Sequence, residues 1–210
     1  MIEPTRVFVL RHGRTAWNAE QRLQGQLDVA LDDTGRWQAQ QLASALAGEA
    51  LAAIYSSDLQ RARDTAQALA GLTGLPLATD TALRERGFGR LEGLTYAEIE
   101  AHWPDDALRW RSREPDFGPG GGESLRAFYE RSVAAVTRLA APHAGAAIAV
   151  FAHGGVLDCL YRAAAGIELG AARTWQLGNA SINRLLYTGE RWRVVGWDDH
   201  AHLEPPAPAL

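Results

Sequence analysis

Two stretches of this chain are too apolar to lie at a surface, and each runs into a histidine followed by glycine. Val7-Phe8-Val9-Leu10 leads into Arg11-His12-Gly13, and Ala146 to Ala152 leads into His153-Gly154-Gly155. Short continuous runs of this kind predict strands buried on both faces, as in a parallel sheet with helices above and below. Both histidines then fall just past a strand's C-terminal end. In open α/β sheets that is the edge where ligands collect.

The intervening sequence supplies the helices. Thr34 is the expected cap of a helix running to about Leu46, and Ala52 to Tyr55 reads as a strand ending at Ser56-Ser57-Asp58. Arg61 is expected in the first turn of the next helix, which Gly71 and Gly74 would stop, and Pro76 to Thr79 reads as an edge strand. Thr95 with Glu98 makes a capping box for a helix ending near Pro104. Behind a Ser124 cap, Leu125, Phe128, Tyr129, Val133, Val136 and Leu139 keep helical spacing, and a further helix follows His153 through Ala164. Ile182 to Tyr187 and Trp192 to Trp197 alternate around Thr188-Gly189-Glu190-Arg191, the pattern of a hairpin. The expected architecture is a three-layer α/β/α sandwich whose mostly parallel central sheet gains an antiparallel strand. One domain is expected over residues 1–203, with residues 204–210, rich in proline, as a disordered tail.

Pro104 to Gly122 differs in character, with prolines, arginines and three consecutive glycines at 120–122. It reads as a mobile, lid-like excursion, with the glycines as a hinge before Ser124 rather than a nucleotide cradle, since no Walker lysine follows them. Trp103 and Trp110 flank it, and Arg109, Arg111 and Arg113 would offer cations to an anionic ligand beneath.

Charge narrows the ligand. Twenty-one basic against twenty-five acidic residues leave a net charge of -4, which argues against a general binder of nucleic acid or membrane. Any anion must meet a local cationic pocket. The single cysteine, Cys159, allows no internal disulfide and reads as a small buried apolar residue. With no apolar run near the roughly 20 residues a membrane helix needs, a soluble cytoplasmic protein is expected.

Taken together, Arg11, His12, Asn18, Arg61 and His153 form a set suited to a phosphoryl group. A transferring phosphoryl spreads negative charge over its oxygens, and arginine forks with imidazole or amide donors stabilise that charge. A histidine nucleophile must be unprotonated at its attacking nitrogen, a form that neighbouring Arg11 and Arg61 favour. His153 would face it, neutral or protonated.

Six segments in order resemble the histidine phosphatase superfamily, the group that includes cofactor-dependent phosphoglycerate mutases and many small phosphatases. They are Leu10 to Asn18, Gln24-Gly25, Ser56 to Ala66, Leu83 to Gly89 with Leu91-Glu92-Gly93, Gly121 to Ser124, and Ala152 to Gly155. The resemblance covers nearly the whole chain. It implies a phosphoglycerate mutase-like fold, His12 as the residue that takes the phosphoryl group, and Arg11, Arg61 and His153 as its grip. Asn18 would add an amide donor, and Gln24, Gly25 and Gly154 fall at phosphate-binding positions. Glu85 would protonate the leaving oxygen and later deprotonate the attacking water, with Arg84 and Arg86 on either side of it. No cofactor and no metal ion are implied, and the expected partner is a small-molecule phosphate ester. Monomer and homodimer both stay open.

Mutases of this family carry Glu-Arg-His-Tyr-Gly after the acid and Gly-Asn-Ser after the second histidine. Here those places read Glu85-Arg86-Gly87-Phe88-Gly89 and Gly154-Gly155-Val156, as in the phosphatase branch. Hydrolysis is therefore the expected reaction, with phosphoglycerate mutation as the alternative and a silent phosphate-binding module as a third. Arg14 departs from the Glu or Gln that many relatives carry, facing substrate or solvent. Glu92 reads either as a surface carboxylate or as support for the pocket. His200 and His202 read as part of a solvated segment rather than metal ligands, and His102 and His143 as surface residues.

Overall fold

A computed structural model describes residues 3–204. The expected disordered tail lies, beyond Glu204, outside the described residues. In chain order the elements are β1 (Thr5–Arg11), α1 (Ala16–Ala19), α2 (Asp33–Leu46), β2 (Leu51–Ser56), α3 (Gln60–Thr73), β3 (Leu77–Thr79), α4 (Tyr96–His102), α5 (Pro104–Arg111), α6 (Leu125–Ala140), β4 (Ala147–Ala152), α7 (Gly154–Ala165), β5 (Ile182–Tyr187) and β6 (Trp192–Asp199). Their strands form one sheet in the order β3-β2-β4-β1-β5-β6. The β3, β2, β4 and β1 strands run parallel, and β5 and β6 join antiparallel at the far edge.

The two apolar runs are neighbours. Val7 to Leu10 pairs with Ile148 to Phe151 at the centre of the sheet, and all six residues of β4 are buried. Alternation then divides the core. Val7, Val9, Ile148, Val150 and Ala152 face Phe128, Val136, Leu157 and Leu160 of α6 and α7. Phe8, Leu10, Ala147, Ala149 and Phe151 face Leu42, Leu46, Ala66 and Leu69 of α2 and α3. Both faces of these strands are apolar because both are covered, each full burial of a Val, Ile, Leu or Phe contributing about 1.5–3 kcal/mol.

Local signals set most boundaries. Ser124 caps α6, accepting from the Ala127 N–H, and Thr95 with Glu98 closes the capping box of α4. The α2 cap, however, is Asp32, whose carboxylate accepts from the Gly35 N–H, while Thr34 sits inside the helix and accepts from Arg14. Gly71 lies within α3 and only Gly74 ends it, in the left-handed conformation at φ 73°.

The segment 104–122 is more structured than its composition predicts. Pro104 opens α5 at a position where its missing N–H costs nothing, Asp105 and Asp106 follow in the first turn, and Arg109 and Arg111 close the last turn. Ala107 joins Leu23, Leu91 and Ile99 in a third buried cluster, against which Phe88, Trp103 and Trp110 pack. Gly120–Gly122 does not form a free hinge. The Gly120 N–H donates to Asp106, and the Glu123 N–H donates to the Gly87 carbonyl at 2.8 Å. No helix among the described residues is long and apolar enough to cross a membrane.

One packing contact fixes the loop after β1. Gly13 and Gly35 meet backbone to backbone, and a Cβ on Gly35 would run into the carbonyl of Arg14. We expect Gly35→Ala to destabilise the fold by about 1–3 kcal/mol, the usual cost of overpacking, as read by urea denaturation. An unchanged midpoint would show that the loop can move aside.

Candidate active site

The β1–β4 pairing continues one residue beyond the strands, because the His12 N–H donates to the Ala152 carbonyl at 3.1 Å. His12 therefore lies alongside His153, with ring centroids 5.2 Å apart. The His12 carbonyl is held in turn by the Ala180 N–H and the Asn179 side-chain amide, both at 3.1 Å. The Gly13 N–H donates to Thr65 on α3, whose hydroxyl donates to the Arg61 carbonyl. His12 and Arg61 are thus fixed to one another through the backbone.

Tautomer follows from these contacts. The Nδ1 of His12 lies 2.7 Å from the Gly13 carbonyl, and a carbonyl can only accept, so Nδ1 carries the hydrogen. The lone pair is therefore on Nε2. Burial first, then the charges of Arg61 and Arg11, hold His12 well below the ordinary histidine range. His153 is lowered for the same reasons, burial foremost and Arg61 next, which favours its neutral form.

Around this pair lie polar groups with no partner inside the protein. Arg61 is fully buried, and it donates Nη1 to the Leu27 carbonyl at 2.8 Å and Nη2 to the Gly25 carbonyl at 2.7 Å, yet its Nε is unpaired. Arg11 donates to the Leu177 carbonyl and also keeps an unpaired Nε. Both ring nitrogens of His153 are unpaired, as is the Gln24 side-chain oxygen. The donors among them, the Nε–H groups of Arg11 and Arg61 and the one ring N–H of neutral His153, await an acceptor that an anion with several oxygens can supply, whereas the Gln24 oxygen itself awaits a donor. Burial lowers the Arg61 guanidinium to about 10, which leaves it charged at neutral pH.

Arg11, His12, Asn18, Gln24, Gly25, Arg61, Glu85 and Gly154 all line one cavity of about 630 Å³. Asn18 is oriented by what its oxygen accepts: the Thr15 N–H at 3.0 Å, the Thr15 hydroxyl at 3.1 Å and the Asn179 amide at 3.2 Å. Its own NH2 group is thereby left to donate elsewhere. Glu85 is positioned at both oxygens, accepting from the Arg86 N–H at 2.8 Å and the Gly155 N–H at 3.0 Å. Gly155 must be glycine for this, since a Cβ there would collide with the Glu85 carboxylate. Of the two arginines flanking Glu85, Arg84 turns away to Asp58 at 2.8 Å, and Arg86 donates to the Glu123 and Phe117 carbonyls.

The three arginines of the 104–122 segment separate. Arg109 pairs with Glu114 over the Phe117 ring and does not line the cavity. Arg111 pairs with Glu100 at the cavity wall, both side chains exposed. Arg113 is held by the Leu169 carbonyl and by buried Asp158, which Arg162 also grips. Arg14 faces away, bound to Asp32 and Thr34. Glu92 is not a surface carboxylate but a brace, accepting from the Gln26 and Phe88 N–H groups. His143 accepts or donates to the Tyr55 hydroxyl at 2.9 Å, and His200 and His202 are half-buried rather than solvated.

Residues 7–200 match the family model of the histidine phosphatase superfamily, branch 1. The chain belongs to the histidine phosphatase superfamily. It is 41% identical over 207 residues to phosphoglycerate mutase-like protein 4 of Arabidopsis thaliana, covering 97% of this chain and 89% of that one. A metal-independent phosphoserine phosphatase of Arabidopsis thaliana is 36% identical over 204 residues, covering 96% and 84%. Among solved structures, a mycobacterial glucosyl-3-phosphoglycerate phosphatase in complex with VO3 superposes with a TM-score of 0.81 at 37% identity, covering 93% of this chain and 99% of that one.

The site of this superfamily member also brings in residues that carry no signal in the sequence. Asn179, Leu177, Arg22, Tyr96 and Arg173 come from loops or helix starts with no periodic pattern to mark them, and Asn179 touches both His12 and Asn18.

The two buried histidines carry a pH consequence. Their folded pKa values lie well below 6.5, so as pH falls through 6.5 the unfolded chain takes up protons that the folded chain does not. Stability is then lost on the acid side, by about 1.4 kcal/mol per histidine between pH 7.5 and 5.5. Urea unfolding at both pH values should show a smaller drop for His153→Gln than for the unmodified protein. Parallel drops would mean that His153 titrates normally.

Proposed function

We propose that this protein hydrolyses a small phosphomonoester through a phosphohistidine formed on His12, with arginines in place of a metal ion. The observation that carries the reading is the free Nε2 of His12, ringed by the unpaired donors of Arg11, Arg61 and His153.

In the first step Nε2 forms a bond to phosphorus as the ester P–O bond breaks. Protonated Glu85 gives its proton to the departing oxygen, and Arg11 and Arg61 stabilise the charge on the phosphoryl oxygens. The Gly13 carbonyl, accepting from Nδ1, steadies the ring as it becomes electron-poor. In the second step water attacks phosphorus, Glu85 takes the water's proton, and the N–P bond breaks. Phosphate leaves, with His12 neutral and Glu85 protonated as at the start.

Hydrolysis is favoured over mutation by Gly87-Phe88 and Gly155-Val156, which stand where mutases carry histidine, tyrosine, asparagine and serine. Relatives named for phosphoserine and for glucosyl-3-phosphoglycerate support a small phosphorylated metabolite as substrate.

A panel of phosphate esters assayed in chelator tests the reading. Turnover should survive chelation, and Glu85→Gln should lose about 10²–10⁴-fold in kcat on esters with poor leaving groups. Abolished activity in chelator contradicts the mechanism. Interconversion of 2- and 3-phosphoglycerate faster than their loss of phosphate establishes a mutase, and no turnover of any ester establishes a silent module.

A further inference from the structure

Arg11, Arg22, Arg61, Arg86, Arg111 and Arg113 line the cavity, and each donates to an acceptor within the protein. Arg173 lines the same cavity, and among the described residues no acceptor binds it. It sits in the connection between α7 and β5, across from the α4–α5 wall.

That connection is tied down on both sides of Arg173. Arg162 donates to the Glu168 carbonyl at 2.6 Å and Arg113 to the Leu169 carbonyl at 2.9 Å. Trp175 stacks on Tyr161 with centroids 4.3 Å apart, and Trp197 donates to the Gln176 carbonyl at 3.0 Å. The next residues bind the catalytic groups themselves, Leu177 through Arg11 and Asn179 through His12. Arg173 itself is exposed, on a segment anchored on both sides, and its charge is felt by Arg11 and by the Tyr96 phenol. Presenting a cation on an anchored segment reduces the ordering that binding must supply. A cavity of about 630 Å³ holds far more than one phosphate group, which leaves room beside it for an ester's organic part.

We infer that Arg173 is a specificity residue for a second anionic group on the substrate, a carboxylate or second phosphate borne by the organic part of the phosphate ester. The inference rests on the hydrolytic reading. Its chemistry is that of a guanidinium fork meeting anionic oxygens.

Matched esters test it. The ratio of kcat/KM for 3-phosphoglycerate over glycerol 3-phosphate compares a carboxylate with a hydroxymethyl group at similar size. Fructose 1,6-bisphosphate over fructose 6-phosphate compares a second phosphate with a hydroxyl. Arg173→Ala should lower at least one ratio about tenfold through KM, the size of one lost charge-assisted hydrogen bond, and Arg173→Glu should lower it further. Arg173→Lys should restore part of it. The arm that responds identifies the anion. Equal losses on both members of each pair would place Arg173 on the transferring phosphoryl, and unchanged ratios would place it in solvent; either overturns the inference. If none of the esters is hydrolysed, the hydrolytic reading fails by itself. Calorimetric binding of the same four esters to Arg173→Ala and to the unmodified protein then still reads the ratios.

Discussion

Everything at this site depends on the parallel pairing of β1 with β4. Arg6 to Arg11 lies in register with Ala147 to Ala152, and one further hydrogen bond, from His12 to Ala152, carries the pairing past the strands. Two histidines distant in sequence are thereby delivered side by side. The pairing is enforced from both faces by the packing of α2 and α3 on one side and α6 and α7 on the other. A slip of one residue would turn every buried side chain of β1 to the opposite face, so register and catalytic geometry are protected by the same packing.

The site combines burial with positive charge that, among the described residues, no direct ion pair neutralises, although Glu85 lies within electrostatic reach. Arg11 and Arg61 are held by carbonyl groups, which orient a guanidinium without neutralising it, and their charge combines with desolvation to keep His12 and His153 neutral. A carboxylate partner in the same positions would have compensated the arginines and weakened the attraction for an incoming anion. Elsewhere in the molecule arginines do pair with carboxylates, as Arg14 does with Asp32 and Arg84 with Asp58. That contrast separates the two arginines that the proposed mechanism assigns to the phosphoryl group from those paired within the fold.

Features written as local patterns were legible in the sequence. The apolar runs marked the central strands, the Ser124 and Thr95 caps marked two helix starts, and the ordered motifs picked out His12, Arg61 and Glu85, which line one cavity, and His153, which lies beside His12. What escaped were the effects of contacts remote in sequence. Pro104 reads as a break, but its position at the first turn of α5, with two aspartates after it, makes it a start. Thr34 looks like a cap until Asp32 proves to hold the Gly35 N–H. Asn179 carries no pattern at all, because its role is defined only by where β1 and α1 place His12 and Asn18. Arg109, Arg111 and Arg113 are equivalent on paper, and only tertiary contacts separate an outward ion pair from a side chain fixed in the cavity wall.

In the proposed mechanism the Nε2 of His12 accepts the phosphoryl group while its Nδ1 stays bound to the Gly13 carbonyl. Rapid quenching of the protein during turnover into alkaline conditions, followed by peptide mass spectrometry and 31P NMR, reads both the residue and the nitrogen. The expected result is a single acid-labile phosphoryl group on Nε2 of His12, absent from His12→Ala. Phosphate on His153, on Nδ1 of His12, or on no residue during demonstrable turnover would contradict it.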